Sequence, residues 1–388
     1  MLCSALRRAI AAAGVDYHYV VGECDAREAC GQQGRRILDD EHDRERLGQC
    51  GFRLESREKN RGILPLQGDF PSVPRILFVK TSSLGDVIHH CPAVSDAARA
   101  FPGAEIDWMV EESFAAIPAL HAHVRRVIPV AVRRWRGALW DPSVWSEIGS
   151  LRRSLAARAY DLVVDTQGLV KSAVLCSLAS GAKHGMDRAS LREPLAALFY
   201  DVRHAVPRER HAVERNRQLA AAALGYSANG ACDYALQTKG APPIEVRSPY
   251  AILLTMTSRT EKLWANASWS RLGSDLAARG IRCVLPWGSE SERARCESIA
   301  REMPEAVVPR HLSLEELASL MRAAQCAAGV DTGLTHLCAA LGVPTIGIFC
   351  ASDPALTGLY GSARARNLGA AGAPPQPAAV TAALEALS

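Results

Sequence analysis

Short apolar runs of strand length recur along this chain, separated by polar turns and by segments of helical period. Arg75-Ile-Leu-Phe-Val-Lys80 is the first, followed by the glycine-containing loop Thr81-Ser-Ser-Leu-Gly-Asp86. A helix is predicted from Val87 to Ala100, stopping before Pro102-Gly103, and Glu105 to Val110 is a second strand. Asp161 to Val164 is a later buried one. Strands that alternate with helices in this way build a doubly wound parallel sheet. Residues 227–249 are rich in Gly, Pro and small polar side chains and read as a connection, after which the alternation resumes. Ala251 to Met256, Ile281 to Leu285, Cys326 to Val330 and Thr345 to Phe349 are its strands, and Ser268 to Arg279 is a helix. Ser313-Leu-Glu-Glu316 is a capping box, in which Ser313 caps a helix running to about Ala324 and Glu316 reaches back. The expected fold is two parallel α/β domains, each with its own core, facing a cleft. Open sheets of this kind take ligands at the carboxyl ends of their strands.

The 388 residues suffice for two such domains, and a hydrophobic share of 48% is that of a folded globular protein. No apolar run reaches the length of a membrane-spanning helix. Met1 to Gly14, with Arg7 and Arg8, is too short and too weakly apolar for a signal peptide. The twelve cysteines include no CxxC pair, which argues against zinc ribbons and thioredoxin-type chemistry. Cys283, Cys326 and Cys350 sit inside apolar runs, as buried free thiols do, and a reducing, cytoplasmic setting fits. Residues 31–62 are dense in charge and Gly without a sustained period, so residues 1–73 are expected to be a poorly ordered extension outside the catalytic fold. Upstream sequence read through from an early start would produce such a stretch. Its run Asp39, Asp40, Glu41, His42 and Asp43 reads as solvated chain rather than a metal site.

The net charge of +4 gives no reason to invoke nucleic acid, but its distribution is uneven. Arg125, Arg126, Arg133, Arg134 and Arg136 crowd one short segment, interleaved with Val127, Ile128, Val130, Val132 and Trp135. This reads as a strand leaving the core and ending in a basic loop. The loop is either a solvated cationic surface or a seat for an anionic ligand, since guanidinium forks match phosphate and carboxylate.

Asp86 ends the first strand–loop turn, where an Asp serves as a helix N-cap or, facing the cleft, as a general base on a hydroxyl. Asp331-Thr332-Gly333 follows a buried strand and opens a helix carrying His336. The turn is either an ordinary cap or a phosphate site made by free N–H groups and the helix dipole, with Gly333 admitting the anion. Lys262, near Thr257, Ser258 and Trp264, would neutralise a departing diphosphate if it faced the cleft. Glu292 starts another strand-end helix and would either accept from ribose hydroxyls or favour the helix start through the dipole. There is no GxxxxGK[ST], no GxGxxG after either first strand, and no DxD outside the charged extension. A P-loop kinase and a DxD-type metal-dependent transferase are therefore disfavoured, and no metal or cofactor is expected.

These residues lie within a resemblance, from about Arg75 to near the C-terminus, to glycosyltransferase family 9, the lipopolysaccharide heptosyltransferases. Its most specific pieces are VKTSSLGDVIHHCPAVSDA (79–97), RVIPVAVRRWR (126–136), DTQGLVKSA (165–173), HAVERNR (211–217) and VDTGLTHLCAALGVP (330–344). KTSSLGD and RRWR are similar to the branch that adds the first heptose rather than the second. The resemblance implies a GT-B fold, with residues 74–238 holding the acceptor and residues 239–388 holding ADP-heptose. Matched position by position, it implies Asp86 as the base and Thr257, Ser258, Lys262, Glu292, Asp331, Thr332, Gly333 and His336 as donor contacts. Leu312 stands where the family often has Met beside the adenine, and Arg133, Arg136 and Arg192 match positions for an anionic acceptor. The implied reaction is an inverting, metal-independent transfer of heptose from ADP-heptose to the inner Kdo of Kdo-lipid A. It implies a peripheral protein on the cytoplasmic face of the inner membrane. A different core acceptor, a nucleotide-sugar epimerase on the same scaffold and a non-enzymatic binder of nucleotide sugars or polyanions are the alternatives. The N-terminal extension departs from the family pattern.

If the extension lies outside the fold, a chain beginning at Ser72 should keep its melting temperature and its transfer rate, because a solvated segment contributes few buried contacts. Unfolding or loss of transfer on that truncation would place residues 1–73 against the catalytic fold.

Overall fold

The computed structural model describes residues 73–387 other than Leu139 and Lys239. The Asp39 to Asp43 run and the expected extension up to residue 72 lie outside the described residues. Both sheets belong to one compact unit. In the first, β1 (Arg75–Val79), β2 (Glu105–Glu111), β3 (Arg126–Val130), β4 (Leu162–Asp165), β5 (Ala182–Met186) and β6 (Val202–His204) lie in the order β3-β2-β1-β4-β5-β6. In the second, β7 (Tyr250–Leu254), β8 (Arg282–Val284), β9 (Cys326–Val330), β10 (Thr345–Ile348) and β11 (Ala365–Leu368) lie in the order β11-β10-β9-β7-β8. Every pairing is parallel, with Phe78 opposite both Trp108 and Val164 in the first sheet. Each sheet reverses its strand order once near its middle, between β1 and β4 and between β7 and β9. Such switch points open crevices at the strands' carboxyl ends.

The strands lack an alternating polar face because helices cover both sides, as parallel sheets require. Along β1, Leu77 and Val79 pack into an outer cluster with Met109, Trp135 and Leu155. Ile76 and Phe78 point the other way. Along β7, Ala251 and Leu253 join the outer cluster of the second sheet with Trp269 and Leu285. Ile252 and Leu254 fall in the same cluster as Ile76 and Phe78, joined through Val87, Val94, Leu320 and Leu337. The expectation of a separate core for each domain therefore needs correction. Each sheet has an outer core of its own, but their facing sides share one continuous apolar layer.

The helix expected over Val87 to Ala100 is interrupted. It forms as Leu84–Ile88 and Cys91–Ala100, with His89 and His90 at the break. Pro92 causes this, since it lacks the N–H that would bond the carbonyl of Ile88 and its ring crowds that carbonyl. The expected basic loop after β3 is also helical, over Val132–Gly137. Trp135 anchors it by burial and by donating to Glu147 at 2.7 Å, and Arg133 N–H donates to Glu111 at 3.0 Å. The capping box is formed as expected: Glu316 N–H donates to Ser313 Oγ at 3.2 Å and Ser313 N–H to Glu316 at 2.8 Å. Among the described residues no helix is long and apolar enough to cross a membrane.

Several histidines are buried with both ring nitrogens committed. His121 Nδ1 accepts from His123 N–H while Nε2 faces Cys91 O, and His211 Nδ1 accepts from Val213 N–H while Nε2 faces Gly358 O. A further proton has nowhere to go, and burial holds both near about 4, as it does His184, which stacks on His204. The folded state thus binds fewer protons than the unfolded chain between about 4 and the ordinary histidine value near 6.5, so stability falls as pH drops through that window. Calorimetry should find the melting temperature lower at pH 5 than at pH 7 by roughly 5 °C or more. An unchanged value would mean that these rings protonate in place.

Candidate active site

The carboxyl end of β1 begins with Lys80, which is buried and donates to Thr166 O at 3.0 Å and towards Asn216 Oδ1 at 3.5 Å. Burial lowers the pKa of its ammonium, and the carboxylates of Asp86 and Asp165 oppose that shift. The next residues, Thr81 and Ser82, both donate their backbone N–H to Gln167 Oε1 at 3.0 Å, which ties the β1 loop to the β4 loop. Asp165 at the end of β4 is fully buried and holds that second loop, accepting from Gln167 N–H, Gly168 N–H, the Ser172 hydroxyl and the Tyr200 hydroxyl.

Asp86 itself is not the N-cap. Ser83 is, and Asp86 stands at the third position of the short helix, accepting from Ser83 N–H at 2.9 Å and Ser83 Oγ at 3.0 Å. Its partly exposed carboxylate is thereby oriented within one turn of the β1 carboxyl end. Lys171, on the first turn after β4, donates to Ser82 Oγ at 3.0 Å. Burial lowers its pKa, Glu111 raises it, and the guanidiniums of Arg133 and Arg136 lower it further, so these groups share one field. Arg133 lies over the Phe114 ring at 5.4 Å. Arg134 is engaged elsewhere, with Glu112 and Glu147. Arg192 is exposed and precedes Glu193, whose carboxylate accepts Val170 N–H at the start of Lys171's helix.

On the second sheet, Asp331 follows β9 and is the hub. Its Oδ2 accepts from Lys262 Nζ at 2.7 Å and Ser352 Oγ at 2.6 Å, and its Oδ1 faces His336 Nε2 at 3.6 Å. Burial would push this carboxyl up, but the nearby His336 ring and the hydrogen bonds from Lys262 and Ser352 hold it well below the usual carboxylate range. Thr257 Oγ1 donates to Asp331 O at 3.2 Å, with Ser258 exposed beside it. Thr332 is the N-cap of helix Gly333–Ala340, yet its side chain makes no capping bond. The Asp331 carboxylate is turned to Lys262 and Ser352, so neither residue acts as the ordinary cap that the sequence left open.

Gly333 also has a packing role that the sequence did not announce. A Cβ there would lie 2.6 Å from Leu84, so its bareness lets the Asp86 helix pack on the Asp331 helix. Glu292 closes its own turn, accepting Gly288 N–H at 2.7 Å, and Leu312 is buried in the shared apolar layer. The structure thus sets Asp86 and Lys171 on the same loop, through Ser83 and Ser82, and gathers Lys262 with Thr257, Asp331 and His336, while Glu292 and Leu312 also have local partners. Sequence reasoning missed Lys171 and Ser352. A lysine on the first helical turn after a strand end was a readable signal in DTQGLVKSA; Ser352 carried none.

The model of glycosyltransferase family 9 (heptosyltransferase) matches residues 148–383. Lipopolysaccharide heptosyltransferase 1 of Salmonella typhimurium is 46% identical over 290 residues, 74% of this chain and 92% of that protein. The solved structure of E. coli heptosyltransferase WaaC with ADP superposes with a TM-score of 0.75 at 42% identity, covering 81% of this chain and 100% of that one. The same enzyme with ADP-2-deoxy-2-fluoro heptose gives 0.71 at the same identity and coverage. With a matched family model over most of its length and relatives this similar, the chain belongs to glycosyltransferase family 9, the heptosyltransferases.

Proposed function

We propose that this enzyme transfers heptose from ADP-heptose to the inner Kdo of Kdo-lipid A, with inversion and without a metal. The observation that carries the reading is the packing of Leu84 on Gly333, which brings a helix bearing a partly exposed carboxylate, oriented by Ser83, against a helix whose N-terminus lacks a side-chain cap. Asp86 takes the proton of the attacking Kdo hydroxyl. Lys262, Thr257, Ser258 and the Asp331-Thr332-Gly333 turn hold the diphosphate as charge builds on it, with His336 beside it and Glu292 and Leu312 towards the nucleoside. Arg133, Arg136, Arg192 and Lys171 meet the anionic acceptor.

In this reading residues 74–238 hold the acceptor and residues 239–388 the donor. The relatives support the donor, since one solved relative carries ADP and a fluorinated ADP-heptose. A lipid-linked acceptor calls for peripheral docking on the cytoplasmic face of the inner membrane. Trp140, 88% exposed just beyond the basic helix Val132–Gly137, suits a headgroup layer, where aromatic rings and arginines both settle.

The decisive assay incubates the enzyme with ADP-heptose, with and without Kdo-lipid A, and weighs the lipid by mass spectrometry. Added heptose mass supports transfer, whereas an altered sugar nucleotide supports an epimerase and binding alone a non-enzymatic role. Asp86→Asn should lower turnover roughly a hundredfold or more with little change in donor affinity. Near-normal turnover would remove Asp86 from the role of base. Lys262→Ala should weaken ADP-heptose binding and slow transfer together, while EDTA changes neither in the wild type. Strict dependence on added Mg²⁺ would contradict the metal-free mechanism.

A further inference from the structure

One contact across the seam is made by a side chain that the proposed mechanism does not use. His89 closes the Asp86 helix, its N–H donating to Gly85 O at 2.8 Å, and its buried ring reaches over to the second sheet's helix. His89 Nε2 lies 3.2 Å from His336 Nδ1, with the rings edge to face and their centroids 4.5 Å apart. His336 Nε2 in turn faces Asp331. We infer that His89 is a positioning residue for the transfer reaction. Its ring fixes the tautomer and orientation of His336, and so registers the Asp86 helix against the Asp331 turn. This rests on the reading of the site given above.

The direction of the hydrogen bonds follows from Asp331. An ionised carboxylate 3.6 Å from His336 Nε2 favours the proton on that nitrogen, which leaves Nδ1 as an acceptor for a donor from His89. Only a proton on His89 Nε2 then fits the 3.2 Å contact. His89 Nδ1 is left as a bare lone pair, and it has no hydrogen-bond partner. That is the cheaper of the two possibilities, because a buried unpaired N–H would lose more solvation. The groups facing the His89 ring keep it neutral: burial first, then His336, His211 and Lys80 depress its pKa, with only Asp331 opposing. Behind the ring, Asn216 Nδ2 donates to His89 O at 3.1 Å, so the residue is held at both ends. Asp86 and His89 are three apart on one turn and therefore share a face. What fixes the His89 ring fixes how the Asp86 carboxylate is offered to the donor turn.

The test pairs His89→Leu, which keeps bulk and removes the donor, with His89→Gln, whose amide can place an N–H where Nε2 was. Proton–nitrogen NMR of histidine-labelled protein near neutral pH should find both His89 and His336 of the wild type as Nε2–H tautomers. His336 should keep that tautomer in His89→Gln and become mixed in His89→Leu. Turnover should fall about tenfold in His89→Leu with the ADP-heptose KM little changed, and His89→Gln should recover most of it. An Nδ1–H tautomer for His336 in the wild type would overturn the inference whatever the variants do. So would equal losses in both variants with the tautomer unmoved, the mark of a packing role. Failure of the wild type to transfer heptose at all would count against the functional reading instead, since the tautomer spectra do not depend on turnover.

Discussion

The arrangement depends on one close approach. Leu84 sits where a side chain at position 333 would have to be, and Gly333 makes room for it. Around that contact, Val87, Ile88, Leu337 and Cys338 are fully buried in the apolar layer that the facing sides of both sheets share. Asp86 lies on the first turn of its helix after β1, and Asp331 lies just before the N-cap of its own after β9, so both stand at strand carboxyl ends. Hydrophobic burial supplies the adhesion. The glycine then decides how near two charged turns come to one another.

Electrostatics organise what packing brings near. On the first sheet Asp165 is hydrogen-bonded to the β4 loop and to Tyr200, and its charge partly offsets the burial of Lys80, which is also met by Thr166 O and Asn216 Oδ1. Asn216 continues the chain of contacts to His89 O, and the His89 ring continues it to His336 and Asp331. A polar path thus threads the apolar layer from Lys80 to Lys262. Such networks are costly when incomplete and rigid when satisfied.

Local patterns were legible in the sequence and non-local ones were not. The capping box at Ser313 and Glu316 needs only residues of one turn, and it was read correctly. Of the two roles open to Asp86, the N-cap is taken instead by Ser83, three residues earlier in a run that offers several capping side chains. The helix over Val132–Gly137 was read as a loop because its stability comes from Glu111 and Glu147, which no periodicity inside the segment announces. Lys171 meets Ser82 across 89 residues of chain, and His89 meets His336 across 247. The alternation of strands and helices identified the parallel sheets, yet it could not tell that their inner faces share a core. That depends on which side of β1 and β7 faces the other sheet.

The Lys262–Asp331 pair bears on how a diphosphate would be received. A lysine waiting unpaired for an anion would be mobile and strongly hydrated, and ordering it would cost entropy at the moment of binding. Here its ammonium is already held at 2.7 Å from Asp331, and Ser352 steadies the same oxygen. An ammonium has three donors, so it can keep Asp331 and still offer protons to phosphate. The paired carboxylate also tempers the positive field, so a ground-state anion gains little from the lysine alone. Extra charge that develops on the leaving diphosphate during transfer gains more, because the donors are oriented before it appears. In the proposed reaction Asp331 is then a means of making Lys262 selective for the transition state, and the uncapped turn at Thr332 supplies the remaining donors.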